Sequence, residues 1–259
     1  SPDYAESTTS SDAWLNVKAG TDAALAMAMG HVILKEYYID KETPYFKEYA
    51  KEFTDMPFLV RVEDINGAVQ PGRFLNAKDL GRQEEGADFH MVLIDEITNE
   101  IVIPNGTMGE RHTNPQKWNL RLENRDTGAK IDPRLSVFDQ REDVTVVKLP
   151  YFGDEEHEGV IERAIPTITV QTVDGPVKVT TVYDLILANY GIDRGIGGEV
   201  ATSYTDDTPY TPTWQEKITG VKADIAIATA REFADNAEKT KGRSMIIMGG
   251  GINHWYHAD

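Results

Sequence analysis

Cysteine does not occur among the 259 residues. The chain therefore forms no disulfide and holds no thiolate-bound metal or iron–sulfur cluster by itself; any such cluster has to sit on other polypeptide. Long apolar runs are missing too. The longest, Ala23 to Leu34, contains Gly30 and His31 and falls short of the roughly 20 residues a spanning helix needs, so no direct membrane span is expected. No basic-then-apolar leader opens the chain. Basic runs are scarce: 26 Lys and Arg stand against 43 Asp and Glu, a formal charge of −17 that repels nucleic-acid backbones and anionic membranes. Nucleic acid is not expected as a partner, and the acidity reads as solvated surface. Against these absences stand 40% apolar residues, enough for one large core or two modest ones.

Local pattern divides the chain in three. In "WLNVKAGTDAALAMAMGHVILKEYY" a short apolar strand and a Lys-Ala-Gly turn lead to a helix with Thr21 as N-cap and Asp22 in its first turn. Its Ala and Met side chains predict a helix pressed against a sheet. A second helix opens at Thr43-Pro44. From Phe58 to about Thr180 the period falls to two, with turn dipeptides Asn66-Gly67 and Asp174-Gly175 as hairpin signals and a polar, aperiodic stretch between them. Helical pattern returns in "TTVYDLILANYG", "TPTWQEKITG" and "KADIAIATAREFADNAEKTKG", where Gly242 is placed as a C-terminal stop before the apolar strand "RSMIIMG". Helix-then-strand order at both ends predicts an α/β fold with a Rossmann-like parallel sheet flanked by helices and interrupted by a β-rich insertion. The expected parts are 1–57 and 181–259 for the α/β domain and 58–180 for the insertion.

Two stretches fall where open α/β sheets bind ligands, at the C-terminal ends of strands. In "KAGTD" a glycine turn feeds a helix N-terminus, which suits a phosphate or a polar ring, and Asp22 is suited to accept paired hydrogen bonds from an amidine-like edge such as guanine. The alternative is that Thr21 and Asp22 only cap the helix. In the closing "GGGINHWYHAD", three glycines allow close backbone approach to a bulky ligand. His254 and His257 are placed to share a helical face as metal ligands, but a third ligand with matching spacing is not visible, so no metal site is assigned. Hydrogen bonding and aromatic packing around an organic cofactor is the commoner use of such a cluster, and a structural turn is the other reading. His31 reads as a satisfied interior histidine, while His90, His112 and His157 are isolated. "GDEEHEG" reads as a solvated turn, and "DRGIGGEV" fits neither the dinucleotide fingerprint nor the P-loop. No nucleophile elbow supports a hydrolase.

The stretches "SPDYAESTTSSDAWLNVKAGTDAALAMAMGHVILKE", "TTVYDLILANYGIDRG", "YTPTWQEKITGV" and "AREFADNAEKTKGRSMIIMGGGINHWYHAD" resemble the catalytic α subunits of respiratory nitrate reductases, within the dimethyl sulfoxide reductase family of molybdenum enzymes. The resemblance runs the length of the chain, is weakest in the β-rich middle, and is most specific at "NHWYH". Subunits of that kind are several times longer, so the resemblance implies one internal block.

It implies a Rossmann-like domain holding one of two molybdopterin guanine dinucleotides that grip the molybdenum. By motif, Ser1, Pro2, Asp3 and Tyr4 match a loop against the nucleotide. Gly20, Thr21 and Asp22 match the loop that recognises guanine. Gly250, Gly251, Asn253 and His254 match a loop approaching the pterin and the metal, with His254 and His257 as candidates for steering charge or protons there. The implied chemistry is reduction of nitrate to nitrite by oxygen-atom transfer. The implied partners are an iron–sulfur electron-transfer β subunit and a membrane haem subunit. Association with the membrane through those partners is expected, on the cytoplasmic face ahead of the outer one. The aspartate ligand to molybdenum, the ligands of the first iron–sulfur cluster and the second nucleotide's domain have no counterpart here, so the isolated chain is expected to be inactive. Alternatives are a sister enzyme (nitrite oxidoreductase, or perchlorate, chlorate or selenate reductase), a nucleotide-binding module without chemistry, and a purely structural domain.

Overall fold

A computed structural model describes residues 6–106, 121–151 and 159–247. The chain divides into two compact units: Ser1–Tyr45 with Tyr190–Asp193 and Val200–Asp259, and Phe46–Asn189 with Arg194–Glu199.

The first unit is helical among the described residues. Helix α1 (Asp22–Ile33) runs on into a π-helical stretch, Leu34–Asp40. Helices α4 (Pro212–Thr219) and α5 (Ala223–Thr240) pack against α1 and against each other. Small side chains make this possible: Ala24 and Ala28 of α1 and Ala226, Ala230, Ala234 and Ala237 of α5 are buried, so the backbones approach closely. At Gly30 a Cβ would overlap the Tyr190 ring, which is why the α1 pattern carries a glycine despite its cost to a helix. The alanine-rich helix was expected to press on a sheet, and it is helices that cover it within its unit. Thr211 begins α4 by accepting from Trp214 N (3.1 Å), Pro212 takes the first helical position, and Gly220 ends the helix at φ 80°. At the end of α5 it is Lys241 (φ 58°) that enters the left-handed region, one residue before Gly242.

The second unit carries the strands. Helix α2 (Pro44–Phe53), which crosses the division, leads to β1 (Leu59–Ile65) and β2 (Ala68–Phe74). Short pairs follow: β3 (Leu93–Ile94) with β4 (Ile101–Val102), and β5 (Pro104–Asn105) with β6 (Arg121–Asn124). Then come β7 (Asp143–Pro150), β8 (Val160–Thr172), β9 (Gly175–Thr181) and helix α3 (Val182–Asn189). The five-stranded sheet has the order β2-β1-β9-β8-β7, antiparallel throughout. The first half of β8 pairs with β7 and its second half with β9; the sheet curls until β2 and β7 touch. Leu59, Leu75, Val92, Ile94, Val137 and Val179 fill its apolar side.

Both hairpin signals mark real hairpins. Asn66 (φ 58°) and Gly67 (φ 82°) form the two-residue link of β1 and β2, the doubly left-handed turn whose twist suits the strands. The β8–β9 link is shifted by one residue: Val173-Asp174 make the turn and Gly175 (φ 110°), opposite Thr172, is the positive-φ residue after it. The parallel sheet expected from the two ends is not seen among the described residues, whose sheets are antiparallel. Residues 14–17 and 243–247 have no strand partners there, and Met245, Ile246 and Ile247 are 77%, 64% and 81% exposed. An apolar, β-branched run has local strand character, but a parallel strand exists only beside its neighbours.

Candidate functional site

The turn before α1 is the part of the expected site that falls within the described residues. Lys18 N–H donates to Thr219 O (3.0 Å), which fixes the turn against the end of α4. Thr21 N–H closes it on Lys18 O (3.1 Å), with Gly20 at φ 80°, a value that glycine adopts without strain. The Thr21 hydroxyl donates to the same Lys18 oxygen (2.7 Å) and makes no side-chain cap for α1. Thr21 thus holds the expected N-cap position without a capping bond from its side chain. Its hydroxyl tightens the turn and leaves the helix N-terminus without the usual oxygen acceptor, while Ala24 N–H is satisfied by Thr21 O (3.1 Å). Asp22 is half-buried in the first turn. Among the described residues no hydrogen bond or ion pair engages its carboxylate. Ala19 and Gly20 are exposed beside it. The arrangement presents backbone donors at the positive end of a helix and a two-oxygen acceptor within one turn, a pairing suited to a planar ring with donors on its edge.

Ser1, Pro2, Asp3, Tyr4, Gly250, Gly251, Asn253, His254 and His257 lie outside the described residues, as do His112 and His157. His31 is buried, with Nδ1 2.6 Å from Tyr190 O and its ring edge-on to Tyr204. His90 is buried against the Arg125 guanidinium. Among the described residues no three metal-ligating side chains gather, and no helix is long and apolar enough to cross a membrane.

Two constellations escaped the sequence. A cleft of about 480 Å³ in the first unit is lined by the π-helical stretch together with Ile192, Tyr204 and Arg231. On its wall Arg231 grips Glu36 through Nε (3.0 Å) and Nη2 (2.6 Å), and the Tyr204 hydroxyl donates to the same carboxylate (2.9 Å). Burial raises the Glu36 carboxyl, but the Arg231 and Tyr204 hydrogen bonds outweigh it and hold the group below its ordinary value. Burial, with Glu36 beside it, pushes the Tyr204 phenol up. Both Glu36 oxygens are engaged, so the cluster braces the 201–206 loop against the π-helical stretch and α5.

The second constellation explains "DRGIGGEV". Arg194 reaches the fully buried Asp184 (2.5 Å) and the Ser136 hydroxyl (2.9 Å), while Asp184 also accepts from Ser136 Oγ (2.6 Å), Val137 N (2.9 Å) and Thr181 Oγ1 (2.8 Å). Gly195, Gly197 and Gly198 all have positive φ, and a Cβ on Gly198 would crowd Ala164 N. Gly198 thus answers to close packing, while Gly195 and Gly197, with open space around them, answer to the positive φ of the loop.

The model of the molybdopterin oxidoreductase family matches residues 1–259. The chain belongs to the molybdopterin oxidoreductase family. Among its relatives, the nitrate reductase alpha chain of Bacillus subtilis is 50% identical over all of this chain and 21% of its own length. The respiratory nitrate reductase 1 alpha chain of Escherichia coli is 46% identical over all of this chain and 22% of its own. The perchlorate reductase alpha subunit of Dechloromonas aromatica is 30% identical, again over all of this chain and 22% of its own. The chain thus spans about a fifth of the length of these molybdopterin oxidoreductases. Membership in the family implies a molybdenum–molybdopterin cofactor.

Proposed function

We propose that the chain is a segment of the catalytic subunit of a nitrate reductase and that the turn Gly20-Thr21-Asp22 receives the guanine end of a molybdopterin guanine dinucleotide. The observation that carries this reading is the uncapped start of α1 beside the unengaged Asp22 carboxylate. A helix that is not closed by its own side chain, next to an acceptor pair with no partner among the described residues, is complementary to a ligand carrying both an anionic group and a donor edge. When bound, the cofactor supplies oxygen-atom transfer to a molybdenum centre, here with nitrate as oxygen donor and nitrite as product. This chain's share is to hold the nucleotide: Asp22 orients the ring, Gly20 lets it approach, and Thr21 keeps the turn closed. Ser1, Pro2, Asp3 and Tyr4 are proposed to flank the nucleotide. Gly250, Gly251, Asn253 and His254 are proposed to lie towards the pterin, with His254 and His257 tuning charge and protons there.

The same reading assigns residues 1–57 and 181–259 to a Rossmann-like domain around a parallel sheet, with 58–180 inserted. The exposed Met245–Ile247 run supports it, since three apolar residues in succession have the character of a strand covered on both faces. An iron–sulfur β subunit and a membrane haem subunit complete the proposed complex, with the iron–sulfur ligands of the catalytic subunit outside this chain and the cytoplasmic membrane face as its place. The likeness to a perchlorate reductase subunit favours a second reading, a related oxyanion reductase with the same nucleotide site.

The test is Asp22→Ala in the complete subunit, with guanosine monophosphate released by acid hydrolysis, molybdenum content and turnover of nitrate and perchlorate as readouts. Loss of nucleotide with loss of turnover is expected. Full nucleotide content and unchanged turnover would remove Asp22 from the site, and preference for perchlorate would select the second reading.

A further inference from the structure

Asn66 and Gly67 cap the β1–β2 hairpin with both residues in the left-handed region, exposed, and with open space around Gly67. An Asn-Gly pair carries latent chemistry. The Gly67 backbone nitrogen, once deprotonated, attacks Cγ of Asn66, the new C–N bond closes a succinimide, and the side-chain nitrogen leaves as ammonia. Water then opens the ring to aspartate or isoaspartate, so no oxidant or reductant takes part. The structure adds a group that acts on this step: Gly67 N–H donates to Asp64 Oδ1 at 2.7 Å.

We propose that Asn66 is a self-modification site whose rate is governed by the Asp64 carboxylate. A carboxylate that accepts the Gly67 proton stabilises the protonated amide and repels the anion that must form before attack. The ladder pairs Ile65↔Ala68 and Asp64↔Val69 hold the turn on either side, so ring closure also requires the hairpin tip to open. Asp64 is thus a brake. Isoaspartate at position 66 lengthens the main chain within a two-residue link and cannot keep that register. The modification therefore loosens β2, the edge strand of the sheet. The other Asn-Gly pair, Asn105-Gly106, is half-buried at the end of β5 and has no such carboxylate bond among the described residues, which makes it an internal reference.

The experiment ages the full chain, wild type, Asp64→Ala and Asp64→Asn, in mildly alkaline buffer and follows conversion at both pairs by peptide mass mapping and an isoaspartate methyltransferase assay. Circular dichroism before ageing checks that each variant is folded. Asp64→Ala is expected to speed conversion at Asn66 by about tenfold, the weight of one charge-assisted hydrogen bond, with Asp64→Asn in between and Asn105 unchanged. Equal or slower conversion at Asn66 in Asp64→Ala would overturn the brake. Absence of conversion at Asn66 in every protein would overturn the site itself.

Discussion

Removing the carboxylate of Asp184 takes away the centre of the second unit's polar network. The side chain is fully buried and accepts four hydrogen bonds, from Ser136 Oγ, Val137 N, Thr181 Oγ1 and Arg194 Nη1. Asp184→Ala leaves the Arg194 guanidinium, whose side chain is 10% exposed, without its counter-charge, and leaves a buried backbone N–H without an acceptor. Breaking a buried pair from one side costs about 3–5 kcal/mol. With a urea slope of about 2 kcal/mol/M, the midpoint of unfolding falls by roughly 1.5–2.5 M. The assay is urea denaturation of the chain followed by far-UV circular dichroism, with hydrogen exchange read at β8, β9 and α3. Double substitution of Asp184 and Arg194 is expected to recover part of the loss, since it removes the orphaned charge. A loss below about 1 kcal/mol, the scale of an exposed ion pair, would refute the assignment of Asp184 as the buried hub.

Gly30→Ala inserts a methyl against the Tyr190 ring; the strain of about 1–3 kcal/mol exceeds the helix propensity gained, and differential scanning calorimetry is expected to show a lower Tm. Thr211→Val removes the acceptor for Trp214 N and the donor to Asp206 O, at a cost of about 1–2 kcal/mol in chemical denaturation. Glu36 is held below its ordinary carboxyl value of 4.5 in the folded chain, so the stability it contributes is present above that value and is lost as pH falls through the lower folded value. Denaturation midpoints between pH 6 and 3 are expected to fall less steeply in Glu36→Gln than in wild type. Parallel curves would dismiss the Arg231–Glu36–Tyr204 brace.

Legibility in the sequence followed locality. Thr211-Pro212 and Gly220 announce both ends of α4 because cap and stop lie inside the helix's own segment, and Asn66-Gly67 announces its hairpin because two left-handed residues in succession suit few other links. "LKEYYID" announces nothing: a π-helical run has no propensity signature, and the cleft beside it is closed by residues far along the chain. Asp184, Arg194 and Ser136 meet only through the fold, so the spacing of "DRGIGGEV" could set aside a phosphate loop but could not show that its arginine binds a buried carboxylate. The turn at Lys18–Gly20 and the helix start at Asp22 were legible, but not the direction of the Thr21 hydroxyl. Cap and turn closure are both one hydrogen bond away for a threonine at a helix start, and only the structure separates them.

The most direct measurement is a structure of the complete, cofactor-loaded subunit, read at Asp22. The account predicts both carboxylate oxygens within hydrogen-bond reach of the guanine edge, with the uncapped start of α1 facing the same nucleotide. A nucleotide held elsewhere, with Asp22 facing solvent or another protein group, would contradict it.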